Sequence, residues 1–282
     1  MVEKKISSYG DLESQSPFNS DKLIVNIGQT YMSFMVKLHG REDVSAFELF
    51  EFEKVTDNWY DVFYGVKTNS KILDRSYNNT EVLYNIPEAV LMPAEKYSTE
   101  SADSFLTTVF GNNINHIVYA DHLNIGVEVM NAYRIKRSLF DIVRTHFMMV
   151  EAKHYYTNIL QSIFGEQKFT SGAFLRLEFF KDFFVLVLVN NNQLQLIQQF
   201  THTTADDMLY FILSVLEQYQ LKPENIQLEV AGFMDTKTVD YDFLRKIFNS
   251  ISFDKLNPAL AQKDLVEDYP AHYLSPFFKL SA

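Results

Sequence analysis

What limits most severely how this chain can fold is a strand plan that occurs twice. The runs LIVNIG (23–28), YMSFMVKL (31–38) and SAFELFEFEKV (45–55) are apolar or alternating, and short turn-like stretches separate them. Period-two patterning with short connections predicts a three-stranded meander. Past the middle of the chain the plan restarts with AFLRLEFF (173–180), FFVLVLV (183–189) and QLQLIQQF (193–200), with turns at Lys181-Asp182 and 190–192. The unbroken apolar run of the middle member predicts a strand covered on both faces.

After each meander the period changes. In the first half a helix is predicted from Asp57, then strands at 82–86 and 89–92 and a helix at 101–110. Strands at 114–120 and 127–133 follow, then helical patterns at 135–147 and 153–164 with room for a short strand at 147–150. In the second half Met208, Leu209, Phe211, Ile212, Val215, Leu216 and Tyr219 recur at helical spacing, and Thr203 or Thr204 can cap that helix. Strands at 226–231 and 251–253 then flank a helix at 241–248. The polar, Ser-rich residues 1–20 read as a mobile leader, 21–165 as a first lobe, and 166–282 as a second lobe ending in an aromatic tail. Two glycines among polar residues at 165–172 mark the junction.

A length of 282 residues suits two ordinary cores. The net charge of -11 repels polyanions and argues against nucleic acid as a partner. With no cysteine, disulfides, thiolate nucleophiles and Cys-based metal sites are excluded. The first residues lack an apolar signal core, and the longest apolar run, 183–189, is too short to span a bilayer, so the expectation is a cytoplasmic protein without membrane contact.

The duplicated order of a meander followed by alternating helices and strands resembles the actin-like ATPase architecture, two ribonuclease-H-like lobes in an α/β class. With the segments VLMPAEKY (90–97) and HYLSPFF (272–278), the chain is most similar to an uncharacterised bacterial domain family of unknown function assigned to that fold. The resemblance covers residues 21 to the C-terminus. It implies an interlobe cleft and no defined activity.

ATP-binding members of that superfamily carry a DxG-type turn in the first hairpin of each lobe and a Gly-rich adenosine loop in the second lobe. Carboxylates there organise Mg²⁺, and turns without side chains let N–H groups approach phosphates. The matching positions implied here are Asn26, Gly28, Glu178 and Gly232. Asn26 stands where the acid belongs, Glu178-Phe179-Phe180-Lys181-Asp182 has no glycine, and Ala231-Gly232-Phe233 keeps one glycine of a pair. No two of the nine glycines lie within six residues of each other, so no P-loop or dinucleotide fingerprint can be written. The expectation is a noncatalytic binding or assembly protein, with a protein partner or self-association and no cofactor. The alternative is a divergent ATPase or phosphotransferase using Mg-ATP or Mg-ADP in the cleft.

Other constellations are weaker. His116 and His122 flank a predicted strand with Asp121 near its C-terminal end, but the two histidines have no assignable third metal ligand. Asp206-Asp207 fit the first turn of a helix, where acids complement the dipole. Arg134, Lys136, Arg137 and Arg144 form a basic cluster on a helical segment, suited to an anion or to a solvated face. Neither a catalytic residue nor a metal site is assigned.

Overall fold

The computed structural model describes residues 1–10, 20–53, 58–166, 172–260 and 269–281. Two compact units divide the chain within one helix: Met1–Ser162 make up most of the first and Ile163–Asn257 most of the second.

The first unit opens with a correction. Within the expected leader, β1 (Glu3–Tyr9) is a strand, while residues 11–19 lie outside the described residues. It pairs antiparallel with β4 (Val44–Glu51), which follows β2 (Lys22–Gly28) and β3 (Tyr31–Lys37) of the predicted meander. Only Ile6 of β1 is buried, so an apolar pattern does not announce it. Polar contacts to Glu48 of β4 hold it instead. Glu48 is fully buried and accepts from Lys4 Nζ at 3.1 Å, from the Tyr9 and Ser70 hydroxyls, and from the Lys71 N–H at 2.9 Å.

Next come α1 (Trp59–Asn69), β5 (Asn79–Asn85), β6 (Ala89–Pro93), α2 (Thr99–Phe110), β7 (His116–Asn124), β8 (Glu128–Lys136), α3 (Arg137–His146), β9 (Val150–His154) and α4 (Tyr155–Gly165). The main sheet runs β1-β4-β3-β2-β5-β9, with β2, β5 and β9 parallel. Leu23, Val25, Ile27, Val82 and Tyr84 face Phe63 and Val66 of α1 and Leu139, Ile142 and Val143 of α3. A separate sheet, β6-β8-β7, packs on α2 through Met92, Ala102, Leu106 and Ala132. Helix α3 starts two residues later than predicted, because Ile135 and Lys136 complete β8 against Ile117 and His116.

The second unit holds β10 (Ala173–Phe179), β11 (Phe183–Asn190), β12 (Gln193–Thr201), α5 (Ala205–Gln218), β13 (Ile226–Gly232), α6 (Val239–Ile247), β14 (Ser250–Phe253) and α7 (Ala271–Phe278). Its sheet runs β12-β11-β10-β13-β14, with β10, β13 and β14 parallel. As predicted, every residue of β11 from Phe183 to Val189 is buried. Met208, Ile212, Val215 and Leu216 of α5 cover one face of the sheet, and Thr204 and Asp207 close a capping box at the helix start.

The second lobe expected at 166–282 needs revision, since Pro258–Leu260 and Leu280 belong with the first unit. The aromatic tail is also more ordered than its prolines suggest. Pro270 caps α7, and Pro276 lies inside it. Pro276 has no N–H for the His272 carbonyl, and the Ser275 hydroxyl donates to that carbonyl at 3.1 Å.

Replacing the buried Glu48 by alanine strands four donors at once. Glu48→Ala is expected to cost roughly 3 kcal/mol, read as a lower urea midpoint together with faster amide hydrogen exchange in β1.

Candidate functional site

The β2–β3 turn of the first unit and the β10–β11 turn of the second are each filled by side chains of their own unit. In the first, Gly28 ends β2 and Tyr31 begins β3. The Tyr31 ring lies over Gly28 so closely that a Cβ added at 28 would sit 2.2 Å from Tyr31 Cε1. Asn85, the register partner of Gly28 on β5, donates through Nδ2 to the Tyr31 hydroxyl at 2.8 Å. The close approach that a glycine permits is therefore used by an aromatic ring.

Asn26, two residues earlier, has no accessible surface, and neither its Oδ1 nor its Nδ2 has a hydrogen-bond partner. The hydroxyl of Ser33, directly across the β2–β3 ladder, is equally unsatisfied. Leaving such groups unpaired costs about 1–3 kcal/mol each, so Asn26 and Ser33 weaken the sheet that carries them.

In the second turn Phe180 and Phe183 stack with ring centroids 4.7 Å apart, and the Phe180 N–H donates to the Phe183 carbonyl at 2.9 Å. The Phe277 ring meets Phe180 edge-on. Glu178 is buried and bound to Arg176, whose Nε lies 2.7 Å from Glu178 Oε1. Arg176 also donates to Glu229 and, at 2.8 Å, to Asp254. Burial works against its charge, but the three carboxylates prevail and hold the guanidinium proton well above its ordinary value. Gly232 has φ +77°, and a Cβ there would lie 2.0 Å from the Phe179 carbonyl oxygen, which accepts from the Phe233 N–H. Its glycine answers to the meeting of β10 and β13.

The structure separates the three residues around β7. Strand alternation puts His116 and His122 on one face, six residues and roughly 20 Å apart, and Asp121 on the other. His122 is exposed and pairs with Glu128 at 2.6 Å. Asp121 belongs to a buried network: it accepts from the His154 N–H at 2.7 Å, the Thr157 hydroxyl at 2.7 Å and the Tyr133 hydroxyl at 3.1 Å. Burial raises its carboxyl against those three hydrogen bonds. The His154 ring spans the Ile86 carbonyl, 2.9 Å from Nε2, and the Tyr156 N–H, 3.1 Å from Nδ1. With Nδ1 accepting, Nε2 carries the proton, and burial pushes the imidazole down to about 3. Nothing in the spacing of residues 121, 133, 154 and 157 gathers them before the sheets are known.

The remaining candidates hold structural places. Asp207 accepts from Thr203 and Thr204 at the start of α5. The basic cluster is not confined to a helix: Arg134 and Lys136 are on β8, and Arg134 is buried against Glu88 and the Gly111 carbonyl. Among the described residues no helix is long and apolar enough to cross a membrane.

Apart from β1 at the edge of the first, two sheets of matching order, each an antiparallel meander joined edge-on to two parallel strands, give the actin-like ATPase fold. Within it, the chain belongs to a family described as protein of unknown function (DUF3822), whose model matches residues 14–251. A Bacteroides thetaiotaomicron protein with actin-like ATPase fold and unknown function superposes with a TM-score of 0.74 at 17% identity, covering 89% of this chain and 97% of that one. A chain of the PilM–PilN type IV pilus biogenesis complex superposes with a TM-score of 0.61 at 11% identity, covering 94% and 98%. Among curated proteins no sequence matches.

Two outcomes follow from the buried polar groups. Asn26→Val is expected to leave stability unchanged or raise it by up to about 1 kcal/mol, while Asn26→Asp lowers it by about 3 kcal/mol through an uncompensated buried charge; urea midpoints at pH 7 decide both. For His154, the folded imidazole stays neutral from pH 6.5 down to about 3 while the unfolded one takes up a proton. Stability therefore falls as pH falls through that window, by about 1.4 kcal/mol per unit from this group. The raised Asp121 carboxyl works in the opposite sense, since the folded state keeps its proton above the ordinary value. Denaturation across pH 4.5–6.5 should show a slope about one proton smaller in His154→Gln.

Proposed function

We propose that this protein is a noncatalytic binding or assembly protein of the cytoplasm, built on the actin-like fold and working without a bound cofactor. The observation that carries this reading is the Tyr31 ring over Gly28, with Asn26 buried beside it where ATP-binding members place an acid. The second lobe adds support: Glu178 is committed to Arg176, Gly232 is committed to the Phe179 carbonyl, and stacked phenylalanines fill the turn. Gly28, Glu178 and Gly232 each already have an internal task, and Asn26 is shut inside the sheet. A fold kept while these turns are filled suits a protein valued for its surfaces, and the PilM of the PilM–PilN complex shows the same fold engaged with another protein. The occupant of such a surface is a protein partner or a second copy of this chain.

Thermal unfolding with and without millimolar Mg-ATP or Mg-ADP tests the reading. A ligand at about 100 times its dissociation constant adds roughly 2.7 kcal/mol, and each kcal/mol moves a protein of this size by about 2–4 °C. No change in midpoint is expected. A Mg²⁺-dependent rise of several degrees would overturn the proposal in favour of a nucleotide-dependent ATPase or phosphotransferase. Sedimentation velocity over a hundredfold range of concentration, in the same buffers, reports self-association directly.

A further inference from the structure

The segment before β7 and the first turn of α3 enclose a pocket of 460 Å³ in the first unit. Its walls are rich in hydrogen-bond donors. Lys136, Arg137, Ser138, Asn115 and His116 line it, and Asp141 is the one acid among the lining residues. The strand register places His116 directly opposite Lys136 at the point where β8 passes into α3.

Two independent observations at this pocket point to an anion. The first is the start of α3, which has ten residues and receives no side-chain cap from Lys136. The Arg137 N–H is taken by the Asn115 carbonyl at 2.9 Å. The N–H groups of Ser138 and Leu139 have no acceptor within the helix and lie at the positive end of its dipole. The second is His116, whose side chain is only 4% exposed. Its Nδ1 is buried without a hydrogen-bond partner, and its Nε2 stands 3.9 Å from Glu88, beyond hydrogen-bond reach. The guanidinium of Arg137 likewise makes no ion pair or hydrogen bond among the described residues. An uncapped helix start, a buried imidazole with an unsatisfied Nδ1 and a guanidinium without a partner among the described residues share one lining.

We infer that this pocket binds a small phosphomonoester. Its phosphoryl oxygens sit on the Ser138 and Leu139 N–H groups, Arg137 supplies a planar pair of donors, Lys136 supplies a second positive charge, and the His116 ring donates from the inner wall. Small-molecule sites run from roughly 300 to 1,000 Å³, and this pocket leaves room for an organic group beside the phosphoryl group. The inference does not depend on the reading of the hairpin turns, which involve other residues.

The test is NMR of the full chain with glycerol 3-phosphate and inorganic phosphate as probes. Glycerol 3-phosphate should produce saturable shifts at the amides of Ser138 and Leu139 and at the His116 ring, and inorganic phosphate should bind there more weakly. Arg137→Gln should weaken glycerol 3-phosphate at least tenfold. Arg144→Gln, which removes the same charge from the other end of α3, should change it less than twofold. Shifts that grow linearly without saturation would overturn the site, as would equal weakening by both variants, which would mean diffuse charge attraction. Equal affinity for both probes would overturn the assignment of an ester. Arg137 is exposed, so an unchanged amide spectrum outside the pocket will show that its variant folds.

Discussion

The arrangement of the second unit depends on one buried cation. Arg176 sits on β10 with almost no contact with water and gathers Glu178 from its own strand, Glu229 from β13 and Asp254 from just past β14. Asp254 in turn receives Lys279, immediately after α7, at 2.6 Å. One guanidinium thus fixes the order of three parallel strands and links them to the last helix. A lone buried charge would be intolerable, and each carboxylate added to it removes that penalty only while its strand stays in register. The first unit uses the mirror-image device. Buried Glu48 on β4 collects donors from β1 and from the segment after α1. In both units a charge that could not stay buried alone ties neighbouring strands and the segment that follows them.

These devices bear on how the fold relates to function. Chemistry in this architecture calls for open turns and acids able to reach a metal. Here the acids on the inner strands are neutralised by fixed partners, and the open turns are covered by rings. Among the polar atoms left without a protein partner are those of Asn26 and Ser33 inside the first sheet and the Nδ1 of His116 near the start of α3. The first two sit on adjoining strands within the main sheet, whereas His116 is a lining residue of the pocket at the start of α3.

Much of the architecture was legible in the sequence because β-sheet burial leaves a period-two mark. Both meanders, the doubly covered β11 and a threonine cap for α5 at 203 or 204 follow from local pattern, and the structure assigns the cap to Thr204. What stayed hidden has identifiable causes. β1 is held by Glu48 and backbone pairing, so EKKISSY carries no apolar rhythm. Ile135 and Lys136 fit a helical pattern as well as a strand, and only pairing with β7 assigns them to β8. The Asp121 network draws on residues 133, 154 and 157, which no spacing rule joins. The resemblance to ATP-binding members singles out Gly28 and Gly232, but what makes them glycine here, the Tyr31 ring and the Phe179 carbonyl, depends on which strands lie side by side.

The contact between Tyr31 and Gly28 also constrains how this lineage can change. A side chain at 28 collides with the ring, and a smaller residue at 31 leaves a hole beside Asn85, whose amide would lose its acceptor. An aspartate at 26 places a charge in the same strand with nothing to receive it. Building an acidic, open turn here therefore requires several coordinated replacements, each unfavourable when made alone. Positions 28, 31 and 85 form an epistatic lock: the turn admits few single-step departures at any of them.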